Sequence, residues 1–485
     1  MRISSLVLIA LAFATPLVAQ QPLTLEEAIQ MAQKQGPSAQ MARSSRDAAR
    51  ARNDAFNSGL LPQVSLGATA ADLTHGIAPI LQNDGTLNYI NVSQNTSSAG
   101  LTVAQKIPLT GGTLSVGSSV TRFDDFAGGA AHQYTTTPFF VQLDQDLFKP
   151  RNLVWDEKVQ SLNAGVAERA YLEAREDVAG NIAGAYFDLY AADVSWRNAT
   201  ANVAVNDTLY TLNKGRYEVG KIGENDLLKS ELQLLRARAS AEDAKVQRDR
   251  SDAALRRQLV YPDGREMTIV PPNTLPAIDA DPDVAVHQAL RNASVIEQGS
   301  LDETQGKRAT TTARLNNRFN ATLSATVGFN QKGDIFSRAY NSPQGRQTAT
   351  LGVSMPMLQW GAGASQVEAA RADEQRIAAN NKSRRDALAE DARFSVVQLR
   401  QAQRNVAIAA KADTVSAKQF EVARNRYTIG KISNTDLYNA QNDKDQAVIA
   451  YVQALRTYWT AYYHLRRATL YDFATKSALV DDRER

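Results

Sequence analysis

The sequence contains no cysteine, so disulfides, thiolate nucleophiles and cysteine-based metal sites are excluded. Aromatic residues are scarce, at 7% of 485 residues. Neither sign of charge dominates. With 54 basic against 51 acidic residues, a net charge of +3 and no Lys/Arg block, nothing points to a nucleic-acid partner. The four histidines, His75, His132, His287 and His464, are scattered without ligand spacing. Gly111-Gly112 and Gly128-Gly129 read as turns rather than phosphate loops. Paired carboxylates such as Glu26-Glu27 read as solvated helix faces. No nucleophile motif appears, so neither an enzyme nor a cofactor is expected. Past the N-terminus no run approaches 18 consecutive apolar residues, which argues against a transmembrane helix.

What is present begins with Arg2, a short apolar stretch Leu6 to Phe13, and a cleavage-site candidate, Leu17-Val18-Ala19 before Gln20. That order predicts a secretory signal peptide over 1–19. An exported chain without an apolar helix is either soluble or crosses the outer membrane as a β-barrel.

The remainder is duplicated. Arg216-Tyr217-Glu218-Val219-Gly220-Lys221-Ile222 matches Arg426-Tyr427-Thr428-Ile429-Gly430-Lys431-Ile432, and Asp226-Leu227 matches Asp436-Leu437, all at an offset of 210. Seven of the twelve positions 216–227 are identical to their counterparts at 426–437, where average composition would give about one. The same offset carries Leu147-Phe148 onto Met357-Leu358, so nothing is inserted over this length in either copy. Constant spacing suits a long rigid helix. Thr24 to Ile29 likewise resembles Asp283 to Leu290. The organisation expected is a first repeat over 20–260, a Pro-rich connector over 261–282 that cannot continue a helix, a second repeat over 283–470 and a tail over 471–485.

Each copy carries two periodicities. Val178, Ile182, Ala185, Leu189, Ala192, Trp196, Ala199 and Val203 step by 4 and 3, a heptad seam. Leu388, Ala392, Ser395, Leu399, Ala402, Val406 and Ala409 repeat it. A helix from about Arg151 to Tyr217, a break from Gly220 to Asn225 and a return to Leu259 form a coiled-coil hairpin. A helix of that length spans roughly 100 Å. Other segments alternate with period 2: Val64-Leu66-Ala68, Leu101-Val103, Leu114-Val116, Phe139-Val141-Leu143, Phe319 to Phe329 and Ala349 to Met357. Residues 347–367 contain no charge at all. By pattern alone these strands suit a half-buried sheet as well as a lipid-facing barrel; the predicted export signal and the charge depletion favour the barrel.

Taken together, the chain resembles the outer-membrane factor family, the TolC-like efflux and secretion channels. The resemblance covers nearly the whole mature chain. It rests on Leu25-Glu26-Glu27-Ala28-Ile29 followed by Pro37, on Met355-Pro356-Met357-Leu358 before Trp360-Gly361-Ala362-Gly363, and on the twice-used Arg-Tyr-x-[Val/Ile]-Gly-Lys-Ile turn with Asp-Leu after it. It implies a mainly α fold with β structure. Long coiled-coil hairpins would form an α-barrel, and a short transmembrane β-barrel would be shared by a homotrimer. It also implies an exit duct in the outer membrane with its helices in the periplasm, working with a periplasmic adaptor and an inner-membrane pump of RND, ABC or MFS type. The competing reading is a periplasmic coiled-coil adaptor or structural protein outside the membrane. Two hairpins with interposed charge-free strands argue against it.

The resemblance further implies that the hairpin turns act. Gly220, Lys221, Gly430 and Lys431 would dock the adaptor. Tyr427 and Asp436, with Asp226 as first-copy counterpart, would line the periplasmic gate. The family's second acidic gate position falls on Asn439 and its turn arginine on Ile432, so its polar lock is only partly present. Asp226 and Asp436 equally suit helix caps, and Tyr217 and Tyr427 suit packing residues, Tyr217 the better of the two. The first copy has four alternating segments where the family shows two. The extra pair, about 99–108 and 112–122, is read as additional strands or as an extracellular hairpin.

Overall fold

The computed structural model describes residues 22–480 apart from 83, 128–130, 263–266, 273, 274 and 277. The expected signal peptide, the Gly128-Gly129 turn, part of the connector and the last five residues of the tail lie outside the described residues. The elements run α1 (Leu25–Gln35), α2 (Pro37–Ser58), β1 (Gln63–Leu81), β2 (Leu87–Lys106), β3 (Thr113–Asp125), β4 (Ala131–Leu147), α3 (Asn152–Glu218), α4 (Glu224–Leu259), α5 (Pro282–Asn292), α6 (Ser294–Asn316), β5 (Asn320–Gly333), β6 (Gln344–Ser354), α7 (Ala362–Thr428), α8 (Asn434–Thr469), β7 (Tyr471–Asp472) and β8 (Ser477–Ala478). The fold is mainly helical with one substantial sheet. α3 and α7 each have 67 residues, and α4 and α8 each have 36. Each pair is displaced by 210 positions, the offset of the sequence repeat. Neither long helix contains proline, and both are rich in alanine, the best helix former.

The described residues divide into two compact units, one of 22–41, 174–285 and 392–480, the other of 42–173 and 286–391. The first is mainly packed helices, with the short strands β7 and β8. Its core draws Val178, Ile182, Tyr186 and Leu189 from α3, Leu255 and Leu259 from α4, Val396, Leu399 and Val406 from α7, and Val452, Leu455, Tyr458 and Leu465 from α8. In the second seam Ala392, Ser395, Leu399, Ala402 and Val406 are buried, with Leu388 and Ala409 half-buried. Tyr186 ties helices to connector: its hydroxyl reaches Leu23 O at 2.8 Å and Val270 O at 2.6 Å. Burial pushes the pKa of this phenol up, which keeps it a neutral donor. Thr24 and Glu27 close a capping box on α1, so Glu27 is a cap rather than a merely solvated charge.

The second unit holds a six-stranded antiparallel sheet in the order β1 to β6, with β1 and β6 at its edges. Its register sorts the side chains cleanly. Val64, Val103, Val116, Val141 and Val327 lie side by side across β1 to β5. Leu114, Leu143, Ala325 and Ala349 form the neighbouring row on the same face. The opposite face reads Ser65, Thr102, Gly117, Phe140, Gly328, Arg346 across all six strands. Because side chains alternate along a strand, the ladder places Asp72, Lys106, Asp125, Asp144, Asp146, Lys332 and Arg346 on this second face. The apolar face carries one ion pair, Arg122–Asp124 at 2.8 Å, at the end of the strands away from the helices. Phe140 lies flat between two glycines. A Cβ on Gly117 would stand 2.8 Å from its ring, and one on Gly328 would stand 2.9 Å from its Cα.

The first repeat therefore supplies four strands and the second two, six in all. The segments around 99–108 and 112–122 are strands of the main sheet. Their turn lies at the α3 end, where Arg151 Nη1 donates to Leu109 O at 3.3 Å and Gln145 Nε2 to Thr110 O at 3.1 Å. The extracellular-hairpin alternative is thereby set aside. Phe148, Phe319, Met357, Leu358 and Trp360 are exposed apolar side chains at this same end of the strands.

Candidate functional site

The two hairpin turns share one backbone. At each, glycine takes the left-handed conformation, φ +71° at Gly220 and +74° at Gly430, which costs other residues Cβ strain. Lys221 N donates to Arg216 O at 2.8 Å and Gly220 N to Tyr217 O at 2.9 Å. Lys431 N donates to Arg426 O, and Gly430 N to Tyr427 O, both at 2.9 Å. This pair of bonds is a Schellman cap, which satisfies carbonyls that the helix end leaves open.

The side chains differ. α8 starts from Ser433, whose hydroxyl accepts from Asp436 N at 3.2 Å while Asp436 accepts from Ser433 N at 3.1 Å. The Ser433 hydroxyl also donates to Asp436 Oδ2 at 2.8 Å. Those bonds, Ser433's hydroxyl first, hold the Asp436 carboxyl below the usual aspartate range. Ser433 is thus the N-cap, and Asp436 sits at the third helical position as the reciprocal half of a capping box. α4 starts from Gly223, which has no side chain to cap with. Asp226 occupies the same third position, half-buried.

Tyr427 is 3% exposed. It packs with Leu209 of α3 and Leu437 of α8, flanked by Val205, Phe420 and Ile432. Its hydroxyl donates to Asn213 Oδ1 at 2.8 Å. The Arg216 guanidinium lies 5.3 Å from its ring centre and donates to Thr428 O at 3.2 Å. The end of α3 thereby clamps the end of α7. Tyr217, the counterpart, is 42% exposed. Of the two tyrosines that suit packing, Tyr427 packs within the chain, whereas Tyr217, the one favoured from the sequence, is exposed within one chain. Asn439, Asp436, Lys221 and Lys431 are all exposed. The structure thus brings Tyr427 and Asp436 to one turn and Asp226 to the other.

Sequence reasoning missed Asn213 and the role of Arg216. Arg216 lies within the repeated motif, but Asn213 has Ala423 as its counterpart, so the repeat carries no signal for it.

A family model described as "Outer membrane efflux protein" matches residues 88–259 and 286–469. The fold is similar to solved structures over almost its whole length. It superposes on the CmeC outer-membrane channel of Campylobacter jejuni with a TM-score of 0.65 at 15% identity, covering 94% of this chain and 87% of that one. For CusC the TM-score is 0.66 at 12% identity, with 92% and 91% covered. For VceC of Vibrio cholerae it is 0.64 at 14% identity, with 93% and 96% covered. No curated protein matches this chain in sequence.

Proposed function

The chain belongs to the outer membrane efflux protein family, a family of transport ducts rather than enzymes, and on that premise we propose that it is the outer-membrane exit duct of a Gram-negative export system. The observation that carries this reading is the sheet. One face is largely apolar, with polar side chains such as Gln105, Gln145 and Gln347 among the apolar ones, the other holds the small, polar and most of the charged side chains, and both edge strands are open. Such a sheet is stable in lipid only when closed, because an open edge leaves backbone groups unpaired. Three copies would close it into one shared barrel of eighteen strands (three times the six of one chain), with polar residues towards the lumen. Residues 1–19 would be removed on export, and the connector over 261–282 would link the two repeats.

The hairpin turns are the end that meets a periplasmic adaptor, itself recruited by an inner-membrane pump. Gly220-Lys221 and Gly430-Lys431 form the docking surface. Asp436, which the capping box holds ionised, recurs once per copy around the entrance, with Asp226 and Asn439 beside it and Tyr427 fixing the turn that presents it. A ring of carboxylates concentrates cations and repels anions. In planar bilayers Asp436→Asn is expected to lower cation preference and weaken block by trivalent metal ions, more than Asp226→Asn does. Unchanged selectivity with a frayed α8 would leave Asp436 a helix cap alone.

Substitution across the sheet tests the membrane reading. Val353 lies on the apolar face and Ser354 on the polar one. Val353→Arg is expected to cost about 2–4 kcal/mol near the bilayer midplane, seen as loss of the protein from outer-membrane fractions. Ser354→Arg should be tolerated. Equal sensitivity at both positions, or a chain that fractionates as a soluble periplasmic protein, would overturn the reading.

A further inference from the structure

The loop that joins β5 to β6 folds back onto the sheet, at the end away from the helices. The Thr136 hydroxyl donates to Ala339 O, and both residues are fully buried. Gln331 Nε2 donates to Asn341 O at 2.8 Å. The Phe336 ring meets the Tyr134 ring edge-on at 5.9 Å. Thr136 is paired with Val120, and Tyr134 with Arg122. On β3 these partners stand on the same side as Val116, because side chains alternate and paired residues point the same way. The loop is therefore bound to the apolar face and not to the polar one.

Two steps beyond Val120 that face changes its chemistry. Arg122 pairs with Asp124 at 2.8 Å. Among the described residues these are the only charged strand residues on the apolar side. The Arg122 guanidinium lies 5.9 Å from the centre of the Tyr134 ring. The loop adds a second pair, Arg338–Asp334 at 2.7 Å. It also adds the Phe336 and Tyr340 rings, 5.3 Å apart. Ile335, Phe336 and Tyr340 are nonetheless 46%, 54% and 38% exposed. Apolar side chains gathered on a fixed loop and left bare mark an interaction surface.

On the duct reading the rows from Val64 to Val120 lie against acyl chains, so Arg122 and the loop lie at the depth of the outer headgroups. A guanidinium has five N–H donors, and each aspartate occupies only one edge of its partner. The two arginine side chains remain 48% and 64% exposed. Asp124, by contrast, is 9% exposed and also accepts from Asn95 Nδ2 at 3.5 Å. It is a buried counter-ion that makes Arg122 tolerable beside lipid, not an exposed charge that would repel an anion. Arginine binds phosphate through paired N–H groups, and aromatic rings favour the membrane interface. We propose that this cluster holds the phosphorylated headgroup of an outer-leaflet glycolipid. Arg122 and Arg338 bind its phosphates, and Ile335, Phe336 and Tyr340 cover its sugar body and first methylenes. Two arginines with rings between them match a headgroup that carries two phosphates on a broad sugar frame. A phospholipid offers one phosphate and no such frame. The proposal rests on the duct reading, which puts this face in lipid, and it gives one site per copy.

The test uses the assembled full-length protein in a non-ionic detergent, with bound lipid counted by native mass spectrometry. The probe is a bisphosphorylated, acylated glucosamine disaccharide. The same lipid stripped of phosphate, phosphatidylglycerol and inorganic phosphate are the comparisons. The bisphosphorylated glycolipid is expected to bind at least tenfold more tightly than each of the three. Arg122→Gln with Arg338→Gln should weaken it at least tenfold, and Arg346→Gln, on the polar face, should leave it unchanged. Should Arg122→Gln fail to assemble, Arg338→Gln alone carries the test and is expected to weaken binding several-fold. Equal binding of the stripped lipid would overturn phosphate recognition. Equal binding of phosphatidylglycerol would overturn the glycolipid as occupant, and equal binding of inorganic phosphate would reduce the site to one for free anions. An equal loss in Arg346→Gln would mean general charge attraction and would likewise overturn the site. A protein that assembles in the outer membrane and holds no glycolipid sinks this inference alone. A protein that never enters the membrane sinks the duct reading with it.

Discussion

The turn at Gly220 and the turn at Gly430 have the same backbone and different surroundings. Both end a 67-residue helix in a Schellman cap and both begin a 36-residue one. The second is locked by its neighbours, with Tyr427 buried on Asn213 and Ser433 boxed with Asp436. The first has an exposed tyrosine and a glycine N-cap. Duplication has kept the signals that shape the chain, while side chains have diverged according to what covers each turn. Backbone conformation is a local property of the motif; burial is a property of the neighbour.

Mutations can sharpen this difference. Because a chain of this size need not unfold in one step, local hydrogen exchange at the two turns is the suitable measure. The largest effect is expected from Tyr427→Ala, which empties a buried aromatic site and should cost about 3 kcal/mol of local opening free energy at the second turn. In dissociated chains Tyr217→Ala should cost less than about 0.5 kcal/mol at the first; an equal loss would erase the contrast. Gly220→Val and Gly430→Val should each cost about 1–3 kcal/mol through left-handed strain on a β-branched residue. These two should match one another, since no heavy atom stands within 4 Å of a Cβ added at either glycine. Export is expected to fail in both while assembly persists. Tyr427→Phe leaves Asn213 Oδ1 without its donor and should cost about 1–2 kcal/mol. Ser433→Ala removes the N-cap for about 1 kcal/mol, whereas Gly223→Ser should gain only a few tenths at the first turn.

Acid separates the turns in a different way. Asp436 has its folded pKa depressed by Ser433. Its contribution to the start of α8 is therefore complete above the ordinary aspartate range and fades as pH falls through the lowered value. Exchange protection in the first turn of α8 should decline in that acid window, and Ser433→Ala should flatten the decline. An unaltered profile in Ser433→Ala would mean that the capping box does not hold the carboxylate.

Much of this was legible because local chemistry dictates it. Gly220 and Gly430 announce helix ends by their freedom to take positive φ, and the 4–3 spacing from Val178 to Val203 announces a packed seam. The alternation of Val64-Leu66-Ala68 and of Ala349-Leu351-Val353 gave the two faces of the sheet. Strand count was harder, since Thr110-Gly111-Gly112 turns a hairpin equally well at either end of a barrel; Arg151 and Gln145 bonding to that turn decide it. The tyrosines were not legible at all. Tyr217 and Tyr427 stand in nearly identical motifs, and what distinguishes them is Asn213 and Leu209, more than 200 residues from Tyr427. Tertiary neighbours decide burial, and a repeat seen in one dimension conceals them.

The open edges of the sheet also set an order of events. On the proposed duct reading, a newly exported chain would carry β1 and β6 with a row of unsatisfied amides each, beside a largely apolar face. In water such a chain invites pairing with any extended strand, and in lipid it is unstable alone. On that reading productive insertion would wait for encounter with further copies, so its rate should rise more steeply than linearly with the supply of chains. At low expression the bottleneck in biogenesis would then be meeting a partner rather than folding, and the time spent waiting would be when the chain is most exposed to proteases and aggregation.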